Sequence, residues 1–135
     1  YSRSKPAIIE EDVEIGYATN IWRHTHIRYG ATIGRDCNIG ANVFIGKGVK
    51  IGDNCKIQNN VFIPAGVIIG DNVFIGPGVV FTNVPYPRAD VKVSDYFKTY
   101  VEPDAVIGAN STILCGLAIG HRAIIAAGSV ITKSV

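Results

Sequence analysis

The residues of this chain that could do chemistry are few. Three histidines, His24, His26 and His121, carry rings whose ordinary pKa lies near neutrality, so each is a candidate general base. Uncharged amides stand at Gln58 and Asn60 in KIQNNVFI and at Asn83 in FTNVPYPR. Such amides, like backbone N–H groups, can hold a reacting group and steady the charge that develops on a carbonyl oxygen. Arg88 has the planar fork that pairs with a pyrophosphate or a carboxylate. Zinc needs three protein ligands and an open position. His24 and His26 are two residues apart and His121 is distant, so no metal site is expected. Nothing near Cys115 marks it as a nucleophile, and His121 reads as a solvated turn residue.

These side chains are held by a repeat. Every sixth residue from Ile9 to Ile75 is isoleucine, and a small or β-branched residue (Val13, Thr19, Thr25, Ala31, Cys37 and onward) follows four positions after each. A period of six fits neither a helix nor simple strand alternation, and it marks a parallel β-helix. Strand alternation points the isoleucine and the residue two before it inward. The glycine that often follows the isoleucine is expected to serve as a turn residue with positive φ. The count fails after Tyr86 and resumes at Val101, Ile107, Ile113, Ile119, Ile125 and Ile131. The expected organisation is one all-β domain over 1–135. It comprises a polar lead (1–8), a first set of coils (9–86), an extruded loop (87–100) and C-terminal coils (101–135). Long loops in compact domains, and insertions in solenoids, fall at functional faces.

Composition narrows the classes further. A net charge of +2, with basic residues scattered, does not make a nucleic-acid footprint. Glycines and charges interrupt every apolar run well short of the ~20 residues a membrane span needs. The N-terminal YSRSKP has no apolar signal segment. Three cysteines do not form a disulfide framework. A cytoplasmic protein is expected.

The isoleucine hexads resemble those of the hexapeptide-repeat acyltransferases. That resemblance implies a left-handed parallel β-helix in which three hexads make a triangular coil of roughly 18 residues, and assembly as a homotrimer. Counting by eighteen then stacks Cys37 on Cys55 as two buried thiols. It sorts the outward residues into one face with His26, Phe44, Phe62 and Val80, a second with Glu14, Thr32, Lys50 and Ile68, and a third with Asn20, Asn38, Lys56 and Phe74. An exposed aromatic stripe marks an interface, so the first face is expected to pack against another subunit. Polar turns flank it, among them Trp22-Arg23-His24 and Gln58-Asn59-Asn60. Turns favour such residues in any case.

A narrower resemblance lies in IWRHTHI (21–27), KIQNNVFI (56–63), FIGPGVVFTNVPYPR (74–88) and ANSTILCGLAIGHRAIIAAGSVITK (109–133). Together these resemble the acetyl-CoA-dependent N-acetyltransferases that act on nucleotide-linked 3-amino sugars in lipopolysaccharide and other surface-glycan synthesis. The resemblance implies a nucleotide-sugar substrate and coenzyme A as acyl carrier with no metal required, and charge and hydropathy leave no nucleic-acid or membrane partner expected. It supports Asn60 and Asn83 as positioning groups, and it places His26 as either a catalytic or an interface residue. Arg88, His24 and Gln58 are then substrate-binding candidates. Ala109 and Ala127 become candidates for pantetheine contact, and Thr132 and Lys133 for the nucleotide end. Competing expectations are a hexapeptide acetyltransferase with another acceptor and a catalytically silent trimeric scaffold. A γ-class carbonic anhydrase shares the fold and trimer but needs the three zinc histidines that are missing here.

Overall fold

The computed structural model describes residues 1–92 and 96–135, and the described residues contain no helix. Strands of two or three residues stack into three parallel sheets of seven, seven and six strands. Successive strands pass from one sheet to the next, so the chain is a three-sided parallel β-helix. The registers pair Asn20 with Asn38, His26 with Phe44 and Thr32 with Lys50, a step of eighteen each time. Three faces result, named here by their outward residues: the asparagine face (Asn20, Asn38, Lys56, Phe74), the aromatic face (His26, Phe44, Phe62, Val80) and the third face (Glu14, Thr32, Lys50, Ile68). Winding begins earlier than the hexads suggest. Ser2–Arg3 pairs with Asn20–Ile21 and Ile8–Ile9 with His26–Ile27, so the expected polar lead already belongs to a coil.

The isoleucine column is the core. Ile21, Ile27, Ile39, Ile45, Ile57, Ile63 and Ile75 are 0–1% exposed, and burying each such side chain is worth ~1.5–3 kcal/mol. The second inward column carries small residues because it fills what remains of a narrow triangular section. Its polar members are satisfied between coils. Thr19 Oγ1 donates to Gly34 O at 2.7 Å and accepts from Cys37 N at 3.1 Å. Thr25 Oγ1 does the same with Gly40 O and Val43 N. Cys37 and Cys55 repeat the pattern in sulfur, donating to Gly52 O and Gly70 O at 3.1 Å. Both thiols are free. The hydrogen bond with Cys37, together with burial, pushes the Cys55 thiol up.

The turns correct one expectation. Positive φ falls three residues after the isoleucine, at Asp12, His24, Asn42, Asn54, Asn60 and Asn110 among others, and at Gly30, Gly48, Gly66 and Gly78. Asn, Asp and Gly tolerate that left-handed region. The glycines directly after isoleucine serve close approach instead. A Cβ on Gly16 would stand 2.5 Å from Gly34 C, and one on Gly76 would stand 2.7 Å from Ala109 N. At these glycines the backbone of the next coil stands where a Cβ would go.

The loop interrupts the winding once, between the aromatic face and the third face. Phe74 pairs with Val106 and Val80 with Thr112, a step of 32 in place of 18, so 14 residues are inserted without loss of register. The returning chain joins the sheet at Thr99, which pairs with Val67. Thr99 and Tyr100, expected within the loop, are therefore strand. Phe97 lies over two corner glycines: a Cβ on Gly66 would meet Phe97 O at 3.0 Å, and one on Gly116 would meet its ring at 2.9 Å. The part of the expected loop at 93–95 lies outside the described residues.

Candidate functional site

The aromatic face has two long edges, and nearly all the expected site residues sit on one or the other. The leading corner joins the asparagine face to the aromatic face. It carries the stacked triplets Trp22-Arg23-His24, Gly40-Ala41-Asn42, Gln58-Asn59-Asn60 and Gly76-Pro77-Gly78, then Ala109 and Ala127 in the coils beyond. The trailing corner joins the aromatic face to the third face. It carries Arg28-Tyr29, Pro64-Ala65, Thr82-Asn83, Leu114-Cys115 and Thr132-Lys133, and the loop with Arg88 leaves from it.

Between the corners, the stripe is partly self-covered. The His26 ring meets Phe44 edge-on at 5.8 Å, and Phe44 stacks on Phe62 at 5.2 Å. Phe62 and Val80 remain 41% and 38% exposed. His26 is anchored from the coil below. Its Nε2 lies 2.6 Å from Glu10 Oε2. Glu10 Oε1 accepts from Tyr29 N at 3.2 Å. Arg28 Nε is also 2.6 Å from Glu10 Oε2, although this buried N–H is not aligned as a hydrogen bond. Burial pushes the Glu10 carboxyl up, but the His26 and Tyr29 hydrogen bonds and the Arg28 charge outweigh it, and the pKa is lowered. A carboxylate on Nε2 fixes the ring and leaves Nδ1 as the nitrogen able to exchange a proton with a substrate. Glu10 was not among the expected residues, yet counting back eighteen from Arg28 finds it.

At the leading corner a cleft of about 340 Å³ is lined by Trp22, Arg23, Asn38, Gly40, Ala41, Gln58 and Asn59. Gln58 is thus where a ligand could reach it. Asn60 and His24 are exposed turn residues with φ 62°, and Asn60 Oδ1 accepts from Asn42 Nδ2 at 2.8 Å. Turn geometry alone accounts for an asparagine at 60. Ala109 is half-buried and Ala127 exposed. Their main chains continue the same corner, with Gly128 N donating to Ala109 O at 2.8 Å.

At the trailing corner Asn83 Nδ2 donates to Ala65 O at 3.0 Å, which holds the amide at the root of the loop. It borders an apolar cleft of about 360 Å³ with Phe62, Val80, Phe81, Thr82, Val84, Pro85, Pro87 and Leu114. A smaller cleft of about 240 Å³ adjoins it and includes Thr132, Cys115, Tyr86 and Phe97. Arg88 and Lys133 are exposed. His121 faces solvent 3.8 Å from Asp104. The four cofactor candidates therefore divide: Ala109 and Ala127 line one corner, Thr132 and Lys133 the other. Among the described residues no cluster of three or more His, Cys, Asp or Glu could hold a metal ion, and no helix is long and apolar enough to cross a membrane.

A solenoid of three-strand coils with clefts at its corners defines the class: a hexapeptide-repeat β-helix. The chain belongs to the bacterial transferase hexapeptide (six repeats) family, whose model matches residues 48–83 and 98–133. The model for the hexapeptide repeat of succinyl-transferase matches 30–65. Among curated proteins, the bifunctional protein GlmU of Streptococcus uberis is 36% identical over 66 residues, 46% of this chain and 14% of that protein. The chain thus spans a small part of the curated relative it matches. Among solved structures, it is similar in fold to a variant of AntD, an N-acyltransferase from Bacillus cereus in complex with dTDP and coenzyme A. That match has 17% identity, a TM-score of 0.58, and covers 99% of this chain and 73% of that one. A variant of GDP-perosamine N-acetyl transferase from Caulobacter crescentus, in complex with CoA and GDP-perosamine, matches at 14% identity and TM-score 0.57, covering 93% and 50%. WeeI from Acinetobacter baumannii matches at 19% and 0.59, covering 95% and 52%.

Proposed function

We propose that the chain is an acetyl-CoA-dependent N-acetyltransferase for a nucleotide-linked amino sugar, serving surface-glycan synthesis in the cytoplasm as a homotrimer. The observation that carries the reading is Asn83, an amide tied to Ala65 at the lip of an apolar cleft beside an inserted loop. An apolar cleft with one placed amide suits a thioester, whose carbonyl needs a donor and whose acyl and pantetheine atoms need an apolar wall. In the reaction the lone pair of the sugar amine attacks the thioester carbonyl. The C–S bond then breaks, the amide forms, and the amine proton ends on the released thiol. Holding amine and thioester together supplies much of the rate. The second N–H of Asn83 is available to the carbonyl oxygen, and His26 Nδ1 is the protein's candidate proton acceptor. Arg88 would meet the pyrophosphate. Ala109 and Ala127 would meet pantetheine through their main chains, with Thr132 and Lys133 near the nucleotide end of the acyl carrier. These four stand on opposite corners, so one coenzyme reaches both sets if it lies between two copies. The apolar face between the corners is the surface that would bring the copies together.

Thiol release from acetyl-CoA, measured against a panel of UDP-, dTDP- and GDP-linked amino sugars, tests the reading directly. Turnover with an amino sugar is expected, with none for the hydroxyl analogue. Asn83→Ala should lower kcat on the order of 100-fold, as loss of a placed donor does. No thiol release across the panel would overturn the assignment and favour a scaffold.

A further inference from the structure

The leading-corner cleft owes its existence to side chains that are missing. Trp22-Arg23 and Gln58-Asn59 stand two coils apart, roughly 9.5 Å at the usual strand spacing. The coil between them presents only Gly40 and Ala41. That layer is therefore thin, with Asn59 Oδ1 already standing where a Gly40 side chain would begin, and its floor and roof are specific. Trp22 occupies a position that is glycine in many other hexads, and it leaves half its indole in water (49% exposed). The ring is held in place by its own N–H, which donates to Asn38 Oδ1 at 2.9 Å. Opposite it, Asn59 Oδ1 accepts from Ala41 N at 2.8 Å, which commits the oxygen to the backbone and leaves the NH₂ group for the cleft. Among the described residues the Gln58 amide makes no side-chain hydrogen bond, and the Arg23 guanidinium has no ion pair.

We propose that this cleft is a nucleotide-base subsite: a heteroaromatic base stacks on the Trp22 indole, its polar edge meets the Gln58 and Asn59 amides, and Arg23 takes the attached phosphate. A flat ring fills a thin layer, where a chair-shaped sugar or a peptide does not. The amides match the carbonyl and N–H groups of a base edge, and a guanidinium at the rim matches phosphate. Stacking on a placed aromatic ring tolerates any base, since every base has a π-face. The inference rests on the nucleotide-sugar reading above and specifies where that substrate's nucleotide would be gripped.

Trp22 is the only tryptophan in the chain, so its emission reports on the cleft alone. Titration with UDP, dTDP and GDP is expected to quench it saturably, while ribose 5-phosphate and inorganic pyrophosphate leave it unchanged. By calorimetry, Trp22→Ala should raise the nucleotide Kd on the order of tenfold, and Trp22→Phe should raise it less than threefold. Ala41→Leu, which fills the thin layer without touching the indole, should weaken binding as strongly as Trp22→Ala. All three variants should keep the wild-type melting shift with acetyl-CoA. Equal quenching by ribose 5-phosphate, quenching by CoA instead of the nucleoside diphosphates, or wild-type Kd in both Trp22→Ala and Ala41→Leu would overturn the subsite. The two readings fail separately. Trp22-dependent nucleotide binding without acyl transfer would sink the transferase and leave the subsite. Turnover with an unchanged nucleotide KM in Trp22→Ala would do the reverse.

Discussion

The two corners beside the aromatic face are built from the same turn, yet they acquire their clefts by opposite means. At the leading corner the hexads run without interruption, and a cavity arises because Gly40 and Ala41 put almost nothing between Trp22 and Gln58. At the trailing corner the repeat is broken by 14 inserted residues, of which Val84, Pro85 and Pro87 wall off space over Phe62, Val80 and Leu114. The first cleft is lined by amides, a guanidinium and one aromatic ring. The second is apolar with a single tied amide. A solenoid can thus make a site by omission, which costs it no register, or by insertion, which it tolerates because register resumes on the far side.

The largest effect should come from the framework the corners share. Gly40 at the leading corner and Gly46 at the trailing one both lie under the next coil. An added Cβ would stand 2.9 Å from Asn59 N in the first case and 2.8 Å from Pro64 C in the second. Gly40→Val and Gly46→Val must therefore push two coils apart, costing about 3 kcal/mol or more. Thermal melts should show both variants lowered on the order of 10 °C. A much smaller loss at one corner than at the other would mean that the coils are not equally stacked on the two edges.

Excising residues 84–97 should separate the corners. The cut restores the eighteen-residue step, because Asn83 then leads directly to Lys98 and Thr99. Loop closure depends only weakly on length, and the isoleucine column is untouched, so Tm should move by only a few degrees. The trailing cleft loses Val84, Pro85, Pro87 and Phe97, and acyl transfer should fall at least 100-fold, as when catalytic positioning is lost. Nucleotide quenching of Trp22 should persist, weakened only by the loss of Arg88. Loss of quenching along with turnover would show the two corners to act as one site.

Much of this architecture was legible in the residues. The isoleucine period names the inward column, and counting by eighteen, a step implied by the resemblance to the hexapeptide-repeat acyltransferases, gives the three faces and the stacking of Cys37 on Cys55. The length of the insertion also follows, since both flanks keep phase. Glycine was the ambiguous letter. It stands after isoleucine for want of room, at Gly16 or Gly76, and three residues after isoleucine for want of a barrier to positive φ, at Gly48 or Gly78. Spacing alone does not separate a steric reason from a conformational one. The Trp22 cleft was hidden because the residues that create it are two small ones with no chemistry of their own. The grouping of Ala109 and Ala127 with Thr132 and Lys133 followed motif order, whereas the corners they occupy are set by their hexad positions.

The smallest expected effect probes the start of the trailing corner, where Glu10 ties His26 and Arg28 together. The Glu10 carboxyl is held below its ordinary value of 4.5. A group whose pKa is lower folded than unfolded stabilises the fold above its unfolded pKa, and that contribution fades as pH falls through the folded one. The wild-type protein should therefore lose melting temperature as pH drops below about 4.5, and Glu10→Gln should lose less over the same interval. Near pH 7, where the contribution is fully present, Glu10→Gln should melt slightly lower than wild type, by little because a half-exposed ion pair is screened, and the two should converge in acid. Because His26 loses the carboxylate that orients its ring through Nε2, kcat should also fall in Glu10→Gln if Nδ1 exchanges the proton. Unchanged kcat together with the altered acid melt would leave Glu10 as a tie between coils and remove His26 from the proton path. The trailing corner's chemistry would then begin at Asn83.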